Sequence, residues 1–467
     1  MWLYVGSILA YLTGLAAIGW WRGRAAKTGD DFMVAGRSLP ARVLVFTLLS
    51  TWIGSGSLFG GAGLGYRSGF SALWQAAGAW VGIALIYFIA PRVRRLAQYT
   101  VPDILERTYG PRARVLGTIT TVIAYTTIAA YQFRGGGRLL NLVAGTDPRA
   151  GALITAIFCV AYTAIAGMLS VAYLDVFNGV MMVIGVGLSV VYLLGQAGGT
   201  GAAFTTLRPE QVTLFGTMSP AQALALFLPT MFLLLGEANM YQKFFSARDE
   251  NAARRAVAGW IAGTILVEAL IVSVGVFGSR VVPGLTTDQS EAIVVRVAVD
   301  VLPGVLGALL LAGAAAIIVS TANSMLLTPA TSVVHDVYRR FVRPSATDRD
   351  VLLYTRATVI ALGAVAFVIG NFFPTILAMA LWAYTMYGAG VTPALLAALV
   401  WKRVTPTAGV ASIAAGMITT IVWETVGLQA GAYPLGLQTV YPALAFSIGT
   451  LVTVTLVSPS QRPAAAA

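Results

Sequence analysis

The sequence predicts an all-α integral membrane protein of about thirteen transmembrane helices, built as two inverted five-helix repeats with one extra helix before them and two after. Three observations predict this. Charged residues make up only 10% of the 467-residue chain, against roughly 25% in soluble globular proteins. Apolar runs long enough to cross a bilayer recur from end to end, and mean hydropathy is +0.80, so the spans are helices. Two of those runs are interrupted at corresponding places.

The spans fall at 3–21, 43–65, 71–91, 115–144, 150–167, 171–196, 218–243, 256–280, 304–335, 352–371, 374–400, 407–427 and 438–457. No long polar segment separates them, so residues 1–467 read as one membrane domain ending in the tail "SPSQRPAAAA". The net charge of +12 has a topological origin. When alternate connections are grouped, the side that holds "WWRGRAAK", "PRVRRLAQY", "ERTYGPRARV", "QKFFSARDENAARR", "YRRFVRPSATDRD" and "WKR" collects 23 of the 30 Lys and Arg. That side is cytoplasmic by the positive-inside rule, which expects the N-terminus outside and the C-terminus inside a cell (inner) membrane. The first run has no charge before it and Arg22, Arg24 and Lys27 after it, the reverse of a signal peptide. The basic balance therefore calls for no nucleic acid; the lipid bilayer is the partner, and no obligate protein partner is evident. Cys159 and His335 are the only residues of their types, which excludes an internal disulfide and a cysteine or histidine cluster and argues against an enzyme.

The first interruption lies in "LLSTWIGSGSLFGGAGLG" (48–65), with the break expected around Gly54–Gly56. The second lies in "LFLPTMFLLLGEANMYQKFF" (226–245), where Pro229 and Gly236 flank an apolar run before Glu237, Asn239 and Gln242. These are the second and seventh spans, five apart, so the repeats are expected at 43–196 and 218–400, with 1–42 and 401–467 peripheral. Solute carriers commonly place discontinuous helices at corresponding positions of two halves. Unwinding frees peptide groups that lipid does not satisfy, so a bound ion or solute would have to. Glycines in a span also permit close helix packing, and both readings fit the first stretch.

Ionisable groups at membrane depth are Asp175, Glu237, Glu268 and Glu424, with Arg134 and Arg138 near the outer end of the fourth span. The ninth span, "AAAIIVSTANSMLLTPATSVVHDVYRRF", carries Ser320, Thr321, Asn323 and Ser324. Ser320 and Thr321 follow Ile317 by three and four residues, so their hydroxyls share a face with its carbonyl. Such oxygens suit a hard cation such as sodium, although serine and threonine in membrane helices also bond their own preceding carbonyls.

Four stretches carry a family likeness: "DFMVAGRSLP" (31–40), "AGMLSVAYLD" (166–175), "IIVSTANSML" (317–326) and "TPALLAALVWKRVTPTAGV" (392–410). With them the chain resembles the sodium/solute symporters, the family of the sodium/glucose and sodium/proline symporters, which have the LeuT-like fold. The resemblance implies a sodium site made by the carbonyls of Ser50, Ile53 and Ile317 and the hydroxyls of Ser320 and Thr321, with Asp175 close by. It departs from the family signature in Leu174, where threonine usually precedes the aspartate, and in Asn178, where glutamine usually follows. It also implies sodium-coupled symport of a small organic solute by alternating access. A proton-coupled carrier of the same fold and a symporter-like sensor domain are the alternatives; the sequence runs about ten residues past its last span, which argues against the sensor expectation.

The solute cavity is expected between the second, third, seventh and eleventh spans, facing Ser57, Trp74, Gln75, Glu237, Asn239, Tyr384 and Tyr387. Glu237 would bind an ammonium or hydroxyl group, carry a proton, or serve as a structural acid. Arg134 either draws in an anionic solute or marks the interface, and "FRGGGR" is not a phosphate loop. Glu268 and Glu424 read as helix–helix contacts or interfacial ends. The segment "TTDQSEAIVVRVAVDVLPG" resembles an external capping helix. No motif selects one solute.

Overall fold

The computed structural model describes residues 2–23, 34–96 and 98–458, and the side chains within those ranges except at 19–23 and 166–170. Arg24, Lys27, the start of the first family stretch and the C-terminal tail beyond residue 458 lie outside the described residues.

Sixteen helices carry the architecture. They are α1 (Trp2–Gly23), α2 (Ala41–Trp52), α3 (Ala62–Ser68), α4 (Leu73–Leu96), α5 (Val101–Tyr109), α6 (Pro111–Ala144), α7 (Pro148–Gln196) and α8 (Pro220–Gly236). After them come α9 (Ala238–Ser246), α10 (Glu250–Val281), α11 (Gly304–Ser332), α12 (Asp348–Ile369), α13 (Ile376–Gly390), α14 (Thr392–Val400), α15 (Pro406–Ala430) and α16 (Val440–Val457). Many begin on a cap the sequence supplies. Thr100 with Asp103, Ser219 with Gln222 and Thr347 with Asp350 each close a reciprocal capping box, satisfying amides that helix geometry leaves unpaired.

Among the described residues, eleven helical segments are apolar and long enough to cross a membrane. The expected count of about thirteen is not confirmed, because α2 has only 12 residues and Gly56–Leu96 registers as one 41-residue run. The 49-residue α7 contains two crossing lengths, Pro148–Ile165 and Val171–Gln196. The most apolar window of the α11 segment is 83% buried and that of α12 only 28%. Thus α11 is an interior helix, while α12 turns Leu353, Ile360, Val365 and Val368 outward, where lipid is the natural solvent.

Both expected interruptions are present. The first falls at Ile53 and Gly54: Ile53 is extended (φ −73°, ψ 107°), and a π-helical turn follows over Gly56–Gly61. The second falls at Glu237 (φ −59°, ψ 112°), between α8 and α9. Pro229 does not break its helix, which continues through it to Gly236. Gly236 serves close approach instead, since a Cβ there would lie 2.3 Å from the Thr392 hydroxyl. Gly275 on α10 meets α3 the same way, with 2.1 Å from a notional Cβ to the Ala62 carbonyl oxygen.

The two ends of the bundle differ. At the end bearing the basic connections, Arg114 pairs with Asp103 at 2.6 Å, with Asp336 at 2.8 Å and with Glu106, and Thr100 donates to Asp336 at 2.8 Å. Burial opposes the charge of Asp103, but its hydrogen bond with His335 and the charges of His335 and Arg114 hold its carboxyl below the usual carboxylate range. Leu39 N donates to Ser246 O and Arg248 N to Leu39 O, tying the start of α2 to the end of α9. The opposite end contains a cavity of about 370 Å3 bordered by Arg134, Arg138, Asn141 and Asp288.

Two outcomes follow from this packing. Gly275→Ala forces the backbone of α3 away from α10 and destabilises by about 1–3 kcal/mol, read as a lower melting temperature in detergent, whereas Gly6→Ala, with open space around it, leaves it unchanged. Arg114→Gln leaves three carboxylates facing one another, and a cysteine placed at Ser332 in a Cys159→Ser background is then alkylated roughly tenfold faster, the factor for 1.4 kcal/mol of lost closure. An unchanged alkylation rate would show that this cluster does not hold the end shut.

Candidate ion and solute site

At the break of α2 the chain turns its peptide oxygens sideways, and α11 meets them. The Thr321 hydroxyl lies 3.3 Å from Ser50 O and 3.2 Å from Ile53 O, and the Ser320 hydroxyl 3.5 Å from Ser50 O. All four residues are buried. Ile317 sits one turn earlier on α11, which puts its carbonyl on the face of the two hydroxyls.

These spacings suit a shared cation better than strong hydrogen bonds. Oxygens around a six-coordinate ion of calcium's size, bound at about 2.3–2.6 Å, lie about 3.3–3.7 Å from one another, and sodium is close to calcium in size. The donor set, carbonyls and hydroxyls with one carboxylate at the edge, is the chemistry of a reversible hard-cation site. The residues present therefore fit sodium.

Asp175 stands at the edge of this set and ties it together. Its Oδ2 accepts from Thr47 at 2.5 Å, its Oδ1 from Ser320, and its backbone oxygen from Ser50 at 2.7 Å. Asn178 lies 3.5 Å from Oδ1 and itself accepts from Tyr11 at 2.5 Å. A fully buried lysine, Lys243 on α9, donates to Thr47 O at 2.8 Å and to the Thr51 hydroxyl. The unwound end of α2 is thus braced from α9, α7 and α11.

The expected solute residues divide into groups. Glu237 and Tyr387 lie together beside α6, where Tyr125 stands edge-on to Tyr387 with ring centroids 5.3 Å apart. Tyr384 shares a 3.1 Å hydroxyl contact with Tyr131, and both hydroxyls cover Gly56. Asn239 turns toward α11, donating to Thr328 at 2.7 Å and to Ser324 O at 3.3 Å. Ser57 and Gln75 line a small separate cavity with Glu268. Trp74, the neighbour of Gln75, has its indole engaged elsewhere: it donates to Leu214 O at 2.9 Å and stacks on Phe215 in the connection before α8.

Several contributors were not singled out by sequence. Thr47, Thr51 and Lys243 are one, and Gln132, whose Oε1 accepts from Ser55 N at 2.8 Å across the break, is another. Glu268 does join helices, accepting from Trp52 and Trp80 at 2.9 Å each, yet it also borders the cavity with Ser57. Glu424 behaves as an interfacial end, held by Tyr433 and Thr439. The "FRGGGR" glycines are contact points: Gly135 admits Ser55 and Gly136 admits Thr155. Arg134 donates to Phe373 O and Pro374 O, so it fastens the connection ahead of α13. In the 286–304 segment, the buried Glu291 accepts from Ile376 N and Leu377 N at 3.0 and 2.9 Å and pairs with Arg138. A carboxylate at a helix N-terminus is favourable there, and it fixes the segment over the outer end of α13.

Known proteins place this geometry in context. The chain is 26% identical over 476 residues to the osmoregulated proline transporter OpuE of Bacillus subtilis (strain 168), covering 98% of this chain and 95% of that protein. It is 28% identical to the sodium/pantothenate symporter of Escherichia coli (strain K12), covering 95% of each. Among solved structures, a substrate-bound, outward-open Na+-coupled sialic acid symporter superposes with a TM-score of 0.84 at 17% identity over 99% of both chains. A nucleobase-cation-symport-1 family transporter superposes with 0.60 at 13% identity, over 93% of this chain and 96% of the other. These neighbours share the LeuT-like fold. The model of the sodium:solute symporter family matches residues 32–418, and with that extent of match the chain belongs to the sodium:solute symporter family.

Proposed function

We propose that this protein couples the inward flow of sodium to the uptake of a small organic solute by alternating access, as a multi-pass protein of the cell membrane with its N-terminus outside. The observation that carries the reading is the meeting of Ser50 O and Ile53 O with the Thr321 and Ser320 hydroxyls across two helices. Sodium held there, with the Ile317 carbonyl and with Asp175 at the edge, joins α2 to α11. Coupling needs only that the ion favour one set of conformations, and its strength is bounded by that difference in affinity.

Residues 43–196 and 218–400 form the two repeats in this reading, and the solute lies between them. Glu237, Asn239, Tyr384 and Tyr387 supply its polar contacts, with Ser57 and Gln75 on the outer side of the break. The pairing of Arg114 with Asp103, Glu106 and Asp336 closes the inner side, and release requires that cluster to separate. Homologues with transport names favour transport over catalysis.

The test is uptake into proteoliposomes under an inward sodium gradient, with a panel that includes proline and pantothenate, the solutes named for its relatives. At least one solute accumulates only with sodium present, and Ser320→Ala combined with Thr321→Ala lowers that uptake by about tenfold or more, the factor expected for roughly 1.4 kcal/mol of lost ion affinity. Saturable uptake indifferent to both sodium and the double substitution would contradict the reading.

A further inference from the structure

Glu237 has a surrounding that ion coupling does not account for. It sits at the break between α8 and α9 with 0% exposure, and neither carboxylate oxygen has a hydrogen-bond partner. The one buried cation nearby, Lys243, gives its donors to Thr47 O and Thr51 instead. The buried phenols of Tyr125, Tyr131, Tyr384 and Tyr387 lie within electrostatic reach of the carboxylate, and the Tyr125 hydroxyl accepts from Asn239 N, two residues on, at 3.3 Å. Trp52 extends this aromatic wall, its ring 5.9 Å from that of Tyr384.

An ionised carboxylate buried without a donor is strongly unfavourable, and a hydroxyl group would answer only one of its oxygens. A cationic nitrogen answers the charge, and as a protonated amine it carries donors for both oxygens. Of the four arginines that line the outer cavity, Arg134, Arg138, Arg149 and Arg296, the first two have their charge engaged. Arg134 and Arg138 are engaged by Asp288, Glu291 and backbone carbonyls.

We propose that the transported solute carries a cationic nitrogen, an amine or quaternary ammonium group, that is received by the Glu237 carboxylate within this tyrosine wall. The inference rests on the transport reading above and names the substrate class of the same site.

The experiment is thermal stabilisation of the purified full-length protein in sodium chloride, with potassium chloride as the reference salt. The ammonium probes are the amino acids, choline, ethanolamine and putrescine. The comparison probes are neutral sugars, 3,3-dimethyl-1-butanol (the uncharged counterpart of choline) and the carboxylates pantothenate and pyruvate. The solute giving the largest sodium-dependent stabilisation is an ammonium compound, and Glu237→Gln weakens its half-saturating concentration by at least about tenfold while sodium alone still stabilises the variant. Four results would overturn the inference: a best solute lacking a cationic nitrogen, an unaltered response in Glu237→Gln, no response to any ammonium probe, or loss of the sodium effect itself in Glu237→Gln. The last would assign the carboxylate to the ion. Absence of any sodium effect in the unsubstituted protein would instead remove the transport reading on which the inference stands.

Discussion

The structure depends on one requirement: peptide oxygens bared inside a membrane protein need partners. Where α2 stops at Trp52, the carbonyls of Ser50 and Ile53 leave the helical ladder, and no water from lipid meets them. Their partners come from α11, through Ser320 and Thr321. Much of the neighbouring polar chemistry braces that encounter. Asp175 holds Thr47 and Ser320, Lys243 holds Thr47 and Thr51, and Gln132 receives the Ser55 amide on the far side of the break. Buried polar networks are stable only when nearly every member is satisfied, which makes this region a single unit.

The second break works by the same physics with a different outcome. At Glu237 the chain places a buried acid at the turn and leaves it without a donor. The two breaks are linked through α6 and α13, whose tyrosines cover Gly56 on one side and approach Glu237 on the other. An occupant of one site therefore acts on the walls of the other, which is the physical form coupling takes when two ligands bias one equilibrium. The ends of the bundle complete the picture: an ionic cluster around Arg114 shuts one end, while a cavity under the Glu291-anchored segment remains at the other.

How much of this was legible in the sequence follows from what each signal encodes. The hydroxyl pair on α11 was legible because a helix has a fixed period, so residues 317, 320 and 321 must share a face. The break in α2 was legible from its glycines: the turn at Ile53 and Gly54 overlaps the expected Gly54–Gly56, and Gly56 admits the Tyr384 hydroxyl. Pro229 misled, since a proline inside a buried helix is tolerated when neighbouring helices support the backbone. Trp74 adjoins Gln75 on α4, yet its indole is engaged by Leu214 O and Phe215, partners that local sequence does not reveal. Thr47, Gln132 and Lys243 carried no local signal. Their importance comes from contacts between positions 77 to 196 residues apart, which only the packed structure supplies.

The central claim is that one small monovalent cation is gripped where α2 and α11 meet. Equilibrium binding of radioactive sodium to the purified protein, without any solute, tests it most directly. The account predicts saturable binding that potassium does not displace and that is lost when Ser320 and Thr321 are both replaced by alanine. Saturable binding that survives the double replacement, or no specific sodium binding by the unaltered protein, would contradict it.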